Sequence, residues 1–124
     1  DINALSPLCM TRSLIKLFNK KSKIAFITSR MGSIDDNTSG GSYGYRMSKV
    51  ALSMAAKSLS IDLIKNEIFV AILHPGLVST RMTGFTNIGI STKESAKGLL
   101  ERIDSLNGSN SGEFMHANGE SLPW

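Results

Sequence analysis

Tyr45 and Lys49 stand four positions apart at the head of the longest helical pattern in the chain, which puts phenol and ammonium on one helix face. A phenol alone is a poor acid near neutrality, with an ordinary pKa of about 10, but a close cation favours its ionised form. Such a pair can hand a proton to a carbonyl oxygen or take one from an alcohol. It can equally be two solvated side chains, so its meaning depends on what the fold brings near. Ser29 ends an apolar run read below as a strand, and sites in open parallel sheets lie at the carboxyl ends of strands. A serine there can hydrogen bond a substrate carbonyl, and the turn Pro75-Gly76 would reach the same edge from the next strand. His74, just before that turn, is of a type that can act as a base, but the expectation is a strand-end histidine satisfied by backbone; His116 reads as a surface residue. These two histidines and Cys9 show no metal-ligand spacing, so no metal site is expected.

The elements that must position these residues follow from periodicity. Leu5, Leu8, Cys9, Leu14, Ile15, Leu17 and Phe18 predict a helix with one buried face, and Pro7 is tolerated in its first turn. After an exposed lysine-rich connection, Ile24 to Ile27 has the form of a buried parallel strand. Gly32 to Gly44 is built of Ser, Gly, Asp, Asn and Thr and predicts a surface loop. Tyr45 to Lys65 carries Met47, Val50, Ala51, Met54, Ala55, Leu59, Leu63 and Ile64 on a wide apolar face and predicts a second helix. Phe69 to Leu73 predicts a strand, Ser91 with Glu94 opens a third helix ending near Leu106, and Glu113 to His116 predicts a last short strand. The methionines fall mostly on predicted buried faces, where they fill irregular space. This order predicts an α/β fold with a parallel sheet of about three strands and flanking helices. Three strands are few, so one sheet edge and part of one face are expected to lack cover.

The chain has 124 residues, enough for one domain. Its 14 basic and 10 acidic side chains leave a net charge of +4, in part the cluster Lys20, Lys21, Lys23. Aromatic residues make up 6% and do not interleave with the lysines, which argues against nucleic-acid binding. Apolar runs are too short to span a membrane. A single cysteine forms no internal disulfide, and no signal peptide opens the chain, so a cytoplasmic location is expected. The sequence opens at Asp1, with a helical pattern running almost at once, and reads as a portion of a longer protein.

Three segments in order, Thr28-Ser29-Arg30-Met31-Gly32, Tyr45 to Lys49 with Val50-Ala51-Leu52, and His74-Pro75-Gly76-Leu77-Val78-Ser79-Thr80, resemble the S-S-x-x-G, Y-x-x-x-S-K and P-G-x-V-x-T motifs of the short-chain dehydrogenase/reductase family. The tail from Gly112-Glu113-Phe114 to Gly119-Glu120-Ser121-Leu122-Pro123-Trp124 resembles that of the family's carbonyl reductases, the sniffer-like and C-factor-like proteins. The resemblance implies the C-terminal half of a Rossmann-like doubly wound parallel sheet over residues 1–124, and NAD(P)-dependent reduction of a small aldehyde or ketone. It implies Tyr45 as general acid, Lys49 as its cationic partner and ribose ligand, Ser29 as the group orienting substrate oxygen, and Asn3 as the member completing a proton relay. Pro75, Gly76, Val78 and Thr80, with Tyr45 and Lys49, are the implied cofactor contacts, and Arg81 to Ile90 is an implied substrate lid or an ordinary surface loop. Ser33 matches the family's usual spacing to the tyrosine better than Ser29; Ser29 is taken because its motif context sets it at the strand end. NADP or NAD is implied, with NADPH favoured. The family's T-G-x-x-x-G-x-G loop, which seats the cofactor pyrophosphate at a helix N-terminus, does not occur in these residues. The expectation is therefore the catalytic and substrate half of a reductase, inactive as an isolated piece and homo-oligomeric when full-length. The other reading is a non-catalytic interaction protein, a truncated paralogue that pairs with full-length subunits.

Overall fold

A computed structural model describes residues 1–124. Helix α1 spans Leu5–Leu14, strand β1 Lys23–Ile27, helix α2 Tyr43–Leu63, strand β2 Phe69–His74, helix α3 Thr92–Asp104 and strand β3 Phe114–His116. The three strands form one parallel sheet in the order β1-β2-β3, with Ile24 opposite Val70, Ile27 opposite Leu73, and His74 opposite His116. The α/β fold with a three-strand parallel sheet is the one expected. β2 is central and carries the core: Val70, Ile72 and Leu73 are fully buried, each worth about 1.5–3 kcal/mol of transfer free energy.

Helix α2 begins two residues earlier than periodicity suggested, and its buried seam is only partly the expected one. Of the expected face Leu63 is buried and Leu59 packs against the core, but Met47, Val50, Ala51 and Met54 lie outside the buried seam, which is Leu52, Ser53, Ala56, Ser60 and Leu63. Small residues at 53, 56 and 60 let the helix backbone approach the strands, and shape overrides raw hydrophobicity there. Met47 and Met54 are consequently 69% and 64% exposed, and none of the six methionines is buried. Helix α1 departs in the same way: Leu5, Cys9, Leu14 and Leu17 are exposed, because α1 packs on α2 and nothing covers its far side. Alternate side chains of β1, at Lys23, Ala25 and Ile27, are exposed as well, and the outer edge of β1 pairs with no strand.

Two devices set the sheet's carboxyl end. Ser91 and Glu94 form a reciprocal capping box that starts α3, and the Ser95 hydroxyl donates to the Pro75 carbonyl at 2.7 Å, fixing the turn after β2. Beyond β3 the chain folds back so that Leu122 N–H bonds Phe114 O at 2.8 Å and Trp124 O accepts from Asp35 N–H at 2.9 Å. The tail thereby braces the polar loop that follows β1.

Candidate active site

The carboxyl ends of β1 and β2 and the first turns of α2 enclose a cleft of about 750 Å3. Ser29, Tyr45, Pro75, Gly76, Val78 and Thr80 all line it. Thr28 and Gly32 explain why strand end and helix meet there. The Thr28 hydroxyl bonds the Lys49 carbonyl at 3.3 Å and shares a 3.0 Å bond with the Ser53 hydroxyl. Gly32 lies so close to α2 that a Cβ there would stand 2.9 Å from the Lys49 carbonyl carbon and 3.1 Å from Val50 N; glycine is needed for that approach.

Ser29 is largely buried but borders the cleft, and its hydroxyl oxygen accepts from Met31 N–H at 3.1 Å. That bond occupies a lone pair and leaves the O–H free to donate. Ser33 is buried outside the cleft lining, and its oxygen accepts from Asp36 N–H at 3.1 Å. Tyr45 takes part in the local hydrogen bonds through its carbonyl, which accepts from the Ser48 hydroxyl at 2.7 Å; its own hydroxyl is unpaired within the chain. The Lys49 ammonium sits 5.7 Å from the centre of the Tyr45 ring and donates to the Ile27 carbonyl at 3.3 Å. Burial pushes the Lys49 pKa down, since desolvation penalises the charged form. Asn3 lies outside the cleft lining; its amide donates to the Ser48 hydroxyl at 3.1 Å, one residue from Lys49.

The turn after β2 presents main chain to the same cleft. Leu77 O and Ser79 N–H are taken by Ile90, and Val78 O accepts from the Thr83 hydroxyl at 2.6 Å, while the half-buried Val78 N–H has no partner within the chain. Gly76, at φ +88°, packs against Ile90 and the His116 ring, where a Cβ would crowd both. An unpaired N–H and a free phenol on one cleft, with the half-buried Lys49 ammonium beside the phenol ring but outside the cleft lining, fit the amide and ribose hydroxyls of a nicotinamide nucleoside.

Several residues here carried no recognisable signal. His74 was expected to be satisfied by backbone; instead its Nδ1 is buried without a partner, and its ring meets His116 edge-on at 5.0 Å. Its pKa is pushed down to about 4, first by burial, then by the charges of His116 and Arg30. His116, expected on the surface, is half-buried against it. Arg30 bridges Asp36 and Glu120, each at 2.8 Å, a link across ninety positions that no local pattern announces. Only the strand register could have paired the histidines.

A model of the short chain dehydrogenase family matches residues 1–90. The chain belongs to the short-chain dehydrogenase family. Among curated relatives, the chain is 40% identical over its whole length to 1-hydroxy-2-glutathionyl-2-methyl-3-butene dehydrogenase of Rhodococcus sp., of which it spans 56%. It is 42% identical over 99% of its length to C-signal of Myxococcus xanthus, of which it spans 75%. Among solved structures, carbonyl reductase Sniffer of D. melanogaster superposes with a TM-score of 0.89 at 31% identity, covering 98% of this chain and 54% of that one. NADPH-bound carbonyl reductase from chicken fatty liver follows at 0.88 and 29%, with the same coverage. The chain thus spans little more than half of the Rhodococcus relative and of both structures, and has their Rossmann-like fold over that part. No helix in it is long and apolar enough to cross a membrane.

Proposed function

We propose that these residues are the catalytic and substrate half of an NAD(P)-dependent reductase acting on a small aldehyde or ketone. The observation that carries this is the shared cleft, with the Ser29 O–H, the Tyr45 hydroxyl and the Val78 N–H around it. Bound nicotinamide supplies the hydride. Ser29 donates a hydrogen bond to the substrate carbonyl oxygen and orients it; Tyr45 gives that oxygen its proton, so that carbonyl plus hydride plus proton yields the alcohol. In the reverse direction Tyr45 takes the proton back. Lys49 stands beside the phenol ring as its cationic partner and keeps donors for a ribose hydroxyl. Asn3 tethers Ser48, in the turn between Tyr45 and Lys49, and joins the relay that reprotonates the phenol. Pro75, Gly76, Val78 and Thr80 hold the nicotinamide amide. NADPH is the favoured cofactor, in keeping with the NADPH-bound chicken enzyme.

The Arg81 to Ile90 loop is a substrate lid in this reading, supported by Met82 and Thr83 in the cleft lining. The adenine and phosphate end is held by a glycine-rich half outside these residues, which is consistent with their 54–56% share of the Rhodococcus relative and both structures; alone they would not turn over. The exposed apolar side of α2, with Met47, Met54 and Ile61 each more than 60% exposed, supports a homo-oligomer, and a cytoplasmic location is part of the same reading. The test is oxidation of NADPH or NADH by the intact protein with a panel of aromatic and aliphatic aldehydes. Carbonyl-dependent oxidation, faster with NADPH, is the expected result.

A second reading, a non-catalytic partner of full-length subunits, is favoured by the same apolar side of α2. It requires copurification with a full-length reductase and survives loss of the Tyr45 hydroxyl.

A further inference from the structure

Arg46 directly follows Tyr45, lines the same cleft and has no part in the proton chemistry above. Its guanidinium reaches two separate segments. Nε donates to Gly41 O at 3.2 Å, Nη2 to the Ser39 hydroxyl at 3.0 Å and Gly40 O at 3.2 Å, and Nη1 to Met31 O at 3.4 Å. None of the chain's ion pairs includes it.

The loop it grips has little else to hold it. Gly40, Gly41 and Ser42 have positive φ in succession, at 64°, 67° and 48°, a conformation serine resists and glycine adopts only with a large loss of freedom. The one further bond on residues 39–41 runs from Gly40 N–H to the Asn37 side chain at 3.1 Å. On its other side Arg46 holds Met31, whose N–H caps the Ser29 hydroxyl. A planar fork of five donors can serve two segments at once, whereas a lysine is a single point charge.

We infer that Arg46 is a positioning residue: by fastening the 39–41 loop and Met31 to the first turn of α2, it keeps the Ser29 and Tyr45 hydroxyls aligned across the cleft. This rests on the reading of Tyr45 as proton donor. The experiment compares parent, Arg46→Ala, Arg46→Lys and Tyr45→Phe in the intact protein, with NADPH and benzaldehyde or the best aldehyde of the panel. Arg46→Ala is expected to lower kcat about 100-fold, the size of a 1 Å misplacement, with KM for NADPH changed less than about threefold. Arg46→Lys, which keeps the charge and the fold, should fall between. Millimolar guanidinium should restore part of the Arg46→Ala turnover and none of the Tyr45→Phe turnover. A kcat for Arg46→Ala within about twofold of the parent, beside an inactive Tyr45→Phe, overturns the inference and leaves the reading standing. So does a loss that guanidinium leaves unchanged and that only follows lowered stability. Full activity in Tyr45→Phe overturns both.

Discussion

Replacing His74 by phenylalanine should flatten the acid side of the stability profile. The ring sits at the end of β2 with its Nδ1 buried and unpaired, so protonation would place a charge where neither water nor a carboxylate meets that nitrogen. Its pKa is accordingly held at about 4, against 6.5 for an ordinary histidine. In the unfolded chain the ring gains its proton as pH falls through about 6.5, while the native ring stays neutral until about 4. Between those values the unfolded state binds more protons, so stability falls as pH falls. The contribution is complete above the unfolded pKa and gone below the native one. At about 1.36 kcal/mol per pKa unit it amounts to about 3 kcal/mol, an upper figure because the ring borders an open cleft. Phenylalanine keeps an aromatic edge against His116 and cannot titrate. Urea unfolding of the intact protein at pH 7 and pH 4 should show the parent losing about 2–3 kcal/mol more than His74→Phe. The ion pairs of Arg30 with Asp36 and Glu120 are present in both proteins, so the comparison isolates the His74 ring. Equal losses in the two proteins would refute the reasoning.

Gly32→Ala should damage both fold and turnover, because its Cβ would meet α2 backbone at 2.9–3.1 Å; about 1–3 kcal/mol of stability lost in urea titration is expected, together with a lower kcat. Ser29→Ala should lower kcat about 100-fold or more and, with the Met31 N–H left unpaired, cost about 1 kcal/mol in urea titration, whereas Ser33→Ala should cost a similar amount through Asp36 N–H and spare kcat. The opposite pattern, read from kinetics and unfolding of both variants, would move the substrate-orienting role to Ser33. Lys49→Met should lower kcat about 100-fold or more and weaken cofactor binding, measured by NADPH titration, because it removes the only ammonium near the phenol.

Much of the architecture was legible because each element obeys one period. Alternating helices and short apolar runs announced the parallel sheet, and the Ser91/Glu94 pair marked the start of α3 to the residue. The motif residues Ser29, Tyr45, Pro75, Gly76, Val78 and Thr80 were legible as a set, and the fold brings them to one cleft. The buried phase of α2 was only partly legible, since Ser53, Ala56 and Ser60 are buried for their size and hydrophobic counting ranks Met47 and Met54 above them. The exposure of α1 depends on neighbours that no window of sequence contains. The contact of His74 with His116 and the Arg30 bridge to Glu120 arise from strand register and the returning tail. Gly32 was visible as a motif letter, but its reason, the backbone of Lys49 and Val50 pressed against it, exists only in three dimensions.

The central claim is that the Tyr45 hydroxyl delivers the proton. The most direct measurement is carbonyl-dependent oxidation of NADPH by the intact protein and by Tyr45→Phe, alongside NADPH binding by both. The account predicts that the phenylalanine variant binds NADPH nearly as well as the parent and loses turnover by about 100-fold or more. Parent-like turnover in Tyr45→Phe would contradict it.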